Sequence, residues 1–83
     1  MNYPEPVRHA IATLASETST AEDQIEMVSA ERTDWPDSSL GCPEPGRAYL
    51  TVITPGYRVI LKVGTRQYEY HTNDSKMAIR CPK

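Results

Sequence analysis

The sequence predicts an α+β domain: one N-terminal helix packed on an antiparallel sheet of about four strands. Three observations predict it. Apolar residues at helical spacing (Val7, Ile11, Leu14, Ala15) form one stripe near the N-terminus. Beyond residue 56, short runs alternate between apolar and polar residues and are separated by turn formers. The faces of those runs agree, with Tyr, Val, Leu, Met and Ile on one side and Arg, Lys, Glu and His on the other. A sheet with one buried and one wet face is the pattern of an antiparallel meander. The helix stripe is then the cover for the buried face.

Each element follows in order. Pro4 and Pro6 flank Glu5 and suit a helix's first turn, where no amide donor is needed. The stripe extends the helix over residues 5–17. "ETSTAEDQ" breaks it, and Ser19 with Glu22, or Thr20 with Asp23, has the spacing of a cap opening a second short helical turn. Residues 25–32, "IEMVSAER", read as a first strand. "YLTVIT" (49–54) is rich in β-formers and stops at Pro55-Gly56, a pair suited to a type II turn. "YRVILKV" (57–63) places Tyr57, Val59, Leu61 and Val63 opposite Arg58, Ile60 and Lys62. After "GTR", "QYEYHT" (67–72) places Tyr68 and Tyr70 opposite Gln67, Glu69 and His71. "NDSK" turns the chain again, and "MAIRC" (77–81) puts Met77, Ile79 and Cys81 on the apolar side with Arg80 on the other.

The 83 residues are expected to form a single domain, 1–83, without repeats or an internal linker. A core of this size supplies only roughly 3–5 kcal/mol of net stability. Mean hydropathy is −0.56, and no apolar run approaches the roughly 18 residues of a membrane span. The opening "MNYPEPVRHAIATL" lacks the basic and then apolar pattern of a signal peptide. Net charge is −2, which argues against a dedicated nucleic-acid binder. Residues 1–40 carry eight acids and two bases, net −6; residues 41–83 carry seven bases and three acids, net +4. The halves of the chain should therefore attract each other when packed, or the basic half should meet an acidic partner.

The stretch "WPDSSLGCPEPG" (35–46) holds the only tryptophan, one of the two cysteines, three prolines and two glycines. Prolines restrict the backbone and glycines permit positive φ, so the stretch reads as a rigid crossover. Cys42 and Cys81 lack the spacing of a metal site. Bonded, they close a loop of about 40 residues, worth about 4 kcal/mol by chain entropy. The alternative is two thiols in a reducing compartment. A rigid loop beside a staple is pre-organised for binding, because little entropy is lost on docking.

The candidate partner-binding residues are Trp35, Asp37, Ser38, Ser39, Leu40 and His71. Trp35, before Pro36, either lids the core edge or anchors a contact, and Leu40 is the apolar anchor of a protease-inhibitor-like alternative. His71 is expected on the wet face of its strand. With phenylalanine absent, Tyr68 and Tyr70 must supply core bulk. Asp37, Ser38, Ser39 and His71 are hydrolase residue types, but no nucleophile elbow such as G-x-S-x-G accompanies them. Aspartate and serine before a glycine are ordinary turn formers. Cys42, Cys81, His71 and His9 are zinc-ligand types without local pairing. Asn73-Asp74-Ser75 matches a glycosylation sequon and lies in a turn.

"WPDSSLGCPEPG", followed by Tyr49, "ITPGYRVIL", "YEYHT" and the final cysteine, resembles a widespread family of short bacterial domains without an assigned activity. The resemblance is specific over residues 35–81 and looser over the N-terminal helix and first strand. It implies the same helix, turn and strand leading into the tryptophan. Members of that group are often exported or lipoprotein-type domains, which implies a compartment that permits a Cys42–Cys81 bond.

The expectation is a non-enzymatic binding domain, probing a protein or envelope component through the 35–46 loop and adjacent sheet edge. No catalytic residue, cofactor or metal is expected, and the domain should be a monomer. A small hydrolase or metal-dependent enzyme using Asp37, Ser39 and His71 is the rival from a different class. It requires Asp37 and His71 to converge on a shared cavity. The inhibitor alternative requires an exposed, extended Leu40-Gly41. Location is exported or periplasmic if the cysteines are bonded, and cytoplasmic otherwise.

Overall fold

The computed structural model describes residues 3–75 and 77–81. In chain order it has α1 (Glu5–Thr18), a single 3-10 turn (Glu22–Gln24), β1 (Glu26–Trp35), β2 (Thr54–Val63), β3 (Arg66–Asn73) and β4 (Ala78–Arg80). The strands lie side by side in the order β1-β2-β3-β4, every pair antiparallel. One helix on a four-stranded meander is the fold class the sequence predicts, and Cys42 and Cys81 are joined. The predicted 1–83 unit extends beyond this at Met1, Asn2, Pro82 and Lys83, and Lys76 of the "NDSK" turn likewise lies outside the described residues.

Helix α1 starts behind Pro4, whose carbonyl accepts the Arg8 N–H at 3.0 Å. Val7, Ala10, Ile11 and Leu14 are buried against Val59, Leu61 and Tyr70. Ala15 is only half-buried, and Ala10 takes its place in the stripe. The helix ends on Ser19 in the left-handed conformation (φ 52°), while the Thr20 N–H returns to the Ala15 carbonyl at 3.0 Å. That closure is usually made with glycine. Neither predicted cap forms: the Thr20 hydroxyl pairs with Thr18, and the 3-10 turn follows Ala21 without a side-chain cap.

Register assigns the two faces of the sheet. Ala30, Val59, Tyr70 and Arg80 stand in one cross-strand row, and Glu31, Arg58, His71 and Ile79 in the next. The first row belongs to the helix face. The second belongs to the opposite face, so Ile79, and Cys81 just beyond the last strand, lie away from the helix core. This reverses the predicted facing of "MAIRC": Ala78 meets the core instead, and Met77 is exposed. A bulge between Met27 and Ser29 lets Val28 escape the ladder.

Two further expectations change. Of "YLTVIT" only Thr54 is in a strand, as the first residue of β2; residues 49–53 join no ladder, and β-propensity cannot act without a pairing neighbour. Pro55-Gly56 makes no turn and lies inside β2, opposite Asp34 and Thr33. Gly56 is needed there for close approach. A Cβ on it would stand 1.7 Å from the Thr72 carbonyl oxygen on the next strand. The first strand correspondingly runs to Trp35, where it pairs with Thr54.

Candidate functional site

The long connection between β1 and β2, residues 36–53, folds back over the sheet face that the helix leaves open. Its inner side is a second core. Trp35 (7% exposed) donates its Nε1–H to the Thr72 carbonyl at 2.8 Å and stacks on His71, ring centroids 4.3 Å apart. Gly41, at φ +73°, lies so close to that indole that a Cβ would be 2.8 Å from Cζ3. Leu40 is 1% exposed and also has positive φ, 57°. Next to them the Cys42–Cys81 bond, with Cα atoms 6.0 Å apart, ties the loop to the end of β4.

His71, expected on the wet face, is 6% exposed. The parity of its strand was right, but the loop dries that face. Both ring nitrogens are engaged: Nδ1 lies 2.6 Å from the Leu40 carbonyl oxygen, and Nε2 lies 2.6 Å from Glu69 Oε2. Glu69 also accepts two hydrogen bonds from Arg58, at 3.0 and 3.1 Å, and Arg58 reaches Glu31 at 3.3 Å. Charged groups from β1, β2 and β3 thus form one chain ending under the loop. Burial pushes the Glu69 carboxyl up, but the bonds from His71 and Arg58 outweigh it and hold it below the ordinary value. The same pairing raises Arg58 further above its own.

The rest of the connection is tied within itself. Asp37 accepts hydrogen bonds from the Ser39 hydroxyl and backbone N–H, which lower its carboxyl. Ser38 N–H donates to the Leu50 carbonyl at 3.0 Å, and the Leu50 N–H donates to Ser38 Oγ at 2.8 Å. Ser38 therefore closes the base of a lobe spanning 38–50. Inside it, Glu44 N–H donates to the Tyr49 hydroxyl at 2.9 Å, and Arg47 lies over the Tyr49 ring. Beyond the closure the chain turns its side chains outward: Leu50 is 70%, Val52 53% and Ile53 74% exposed.

The sequence-predicted site residues thus separate into supports and bases. Trp35, Ser39, Leu40 and His71 are buried; Asp37 and Ser38 are half-buried hinge points of the lobe. The inhibitor alternative fails by its own requirement, since Leu40 and Gly41 are both left-handed rather than extended and Leu40 is buried. The proposed triad is not assembled either: Asp37 is turned to Ser39, while His71 spends both nitrogens on Leu40 and Glu69. Among the described residues, no group of three or more histidine, cysteine, aspartate or glutamate side chains is placed to hold a metal. Sequence reasoning missed Leu50, Val52 and Ile53 because it spent them on a strand. The signal was present: a β-rich run with no alternation has no buried face to choose.

A family model described as a domain of unknown function, DUF8738, matches residues 7–81. The chain belongs to this family. The DUF8738 match covers the helix from its third residue, all four strands, the lobe and both cysteines. No curated protein and no solved structure matches the chain. Among the described residues, no helix is long and apolar enough to cross a membrane.

Proposed function

We propose that this DUF8738 domain is a non-enzymatic binding module that holds a protein partner through the outward-facing residues 50–53 of the 36–53 connection. The observation that carries the reading is the exposure of three aliphatic side chains, Leu50, Val52 and Ile53, within four positions of a loop whose inner side is fully packed. Isolated exposed aliphatics need no explanation, but a cluster on an anchored loop is the composition of a contact site. Connections this long inside a compact domain are uncommon and usually functional. The ties at Ser38, Cys42 and Trp35 reduce the ordering cost of docking. In this reading Trp35, Ser39, Leu40 and His71 hold the platform, Asp37 and Ser38 shape its base, and the aliphatic trio enters an apolar pocket on the partner. The disulfide suits an oxidising compartment, so the domain works as an exported or periplasmic protein.

Affinity capture from the producing cells tests this, using the oxidised domain beside a Leu50→Ser/Ile53→Ser variant. The native domain should retain one specific partner, and the variant, with an unchanged melting temperature, should lose it at least in large part. Equal retention by both, or no partner for either, would overturn the reading.

A further inference from the structure

Among the described residues, Arg47 is the one basic side chain outside a helix or strand. Arg8 lies in α1, Arg32 in β1, Arg58 and Lys62 in β2, Arg66 in β3 and Arg80 in β4. Arg47 stands at the tip of the 38–50 lobe, where Pro45, Gly46, Arg47 and Ala48 are all exposed. Glu44-Pro45-Gly46-Arg47 is a tight turn: Gly46 has φ +82°, and the Arg47 N–H donates to the Glu44 carbonyl at 3.2 Å. The ties of the Arg47 side chain are open to water. Its guanidinium, 64% exposed, is 3.8 Å from the Glu44 carboxylate and lies over the Tyr49 ring. An ion pair that exposed holds little. The firm ties, Cys42–Cys81 and the paired bonds between Ser38 and Leu50, lie outside residues 43–49. Residues 43–49 can therefore straighten without disturbing the packed inner side.

We propose that Arg47–Ala48 is a processing site for an arginine-specific serine endoprotease, and that the cut domain persists as two chains joined by Cys42–Cys81. An exposed loop tip is where proteases nick folded domains. Arg47 supplies the cation that the acidic specificity pocket of a trypsin-class enzyme takes, and Ala48 rather than proline follows it. The enzyme's serine oxygen adds to the Arg47 carbonyl carbon and the bond to the Ala48 nitrogen breaks. That nitrogen leaves with the proton the enzyme's histidine took from the serine. Water then frees the Arg47 carboxyl, so the net change is one water added. Fragment 1–47 carries α1 and β1, and fragment 48–83 carries β2, β3 and β4. Cys42 lies on the first and Cys81 on the second, so the bond that closed a loop becomes the covalent link between them. The constraint on the unfolded chain goes with the cut, which lowers the folding constant roughly a thousandfold, as loss of the disulfide does. Either connection alone keeps the halves together, and loss of both makes folding bimolecular. The site does not depend on a partner at Leu50, Val52 and Ile53.

The test is brief digestion of the oxidised domain with trypsin, read by intact mass before and after reduction. The first product should be heavier by one water, and reduction should split it into 1–47 and 48–83. Its urea midpoint should fall to near that of the uncut Cys42→Ser/Cys81→Ser domain. Arg47→Gln, at an exposed position, should keep the native melting temperature. It should be cut at least roughly a hundredfold more slowly, because cleavage then waits on unfolding. Domain recovered from the producing cells should contain an amino terminus at Ala48. A first cut at any other bond, Lys76–Met77 included, would overturn the site, and so would native protein found only uncut. Unfolding of the oxidised domain on the first cut would overturn the two-chain form.

Discussion

Gly41 and Gly46 both have positive φ, +73° and +82°, but they answer to different constraints. At Gly46 an added Cβ meets open space, so Gly46→Ala carries only the backbone penalty of roughly 1–2 kcal/mol. At Gly41 the Cβ also strikes the Trp35 ring, which is itself locked to Thr72 and His71. Gly41→Ala should therefore cost about 1–3 kcal/mol more than Gly46→Ala in urea melts. Equal costs would mean that the loop does not press on the indole. Ser19 offers the opposite case: it closes α1 at φ 52° without a glycine. Ser19→Gly should raise stability by about 0.5 kcal/mol, read as a higher melting temperature. What the residues alone disclosed was uneven. The prolines and glycines of 35–46 marked a rigid crossover, and Val59, Leu61 and Tyr70 marked the core. His71 misled, because alternation reports which face a side chain is on and not whether a loop covers that face.

At the scale of elements, the sheet is covered twice, by α1 and by the β1–β2 connection. Alternation made β2 and β3 legible and placed the helix stripe within one residue, because each of those signals is local. The end of β1 at Trp35 and the place of Pro55-Gly56 inside β2 were not legible, since both depend on pairing between segments far apart in sequence. The connection is held by the disulfide, and the chain-entropy estimate for a loop of about 40 residues is about 4 kcal/mol. Cys42→Ser/Cys81→Ser should lower stability by about that amount, and the intact mass of the native chain should lie two daltons below that of the same chain after reduction. An unchanged urea midpoint in the double variant would show that packing alone holds the connection.

Across the whole molecule, charge complementarity is mixed. Arg58 and Glu31 join the basic and acidic halves as the sequence leads one to expect, while Arg32 and Asp74 pair bidentately in the reverse sense, at 2.6 and 2.7 Å. Glu69, Asp37 and Asp74 are all held below their ordinary values: Glu69 by His71 and Arg58 against the effect of burial, Asp37 by Ser39, Asp74 by Arg32. A carboxyl depressed in the fold contributes stability that is complete above its unfolded value and is lost as pH falls through the folded one. The melting temperature should therefore decline as pH drops below about 4, and Glu69→Gln should flatten that decline.

The account's central claim is that the 36–53 connection has a packed inner side and exposes its aliphatic side chains at 50–53. Hydroxyl-radical footprinting of the oxidised domain, read residue by residue, tests it most directly. Leu50, Val52 and Ile53 should be labelled rapidly, while Trp35 and Leu40 should be protected despite the intrinsic reactivity of the indole. Labelling of Trp35 or Leu40 as fast as Ile53 would show that the loop does not close on the sheet, and the platform would be lost with it.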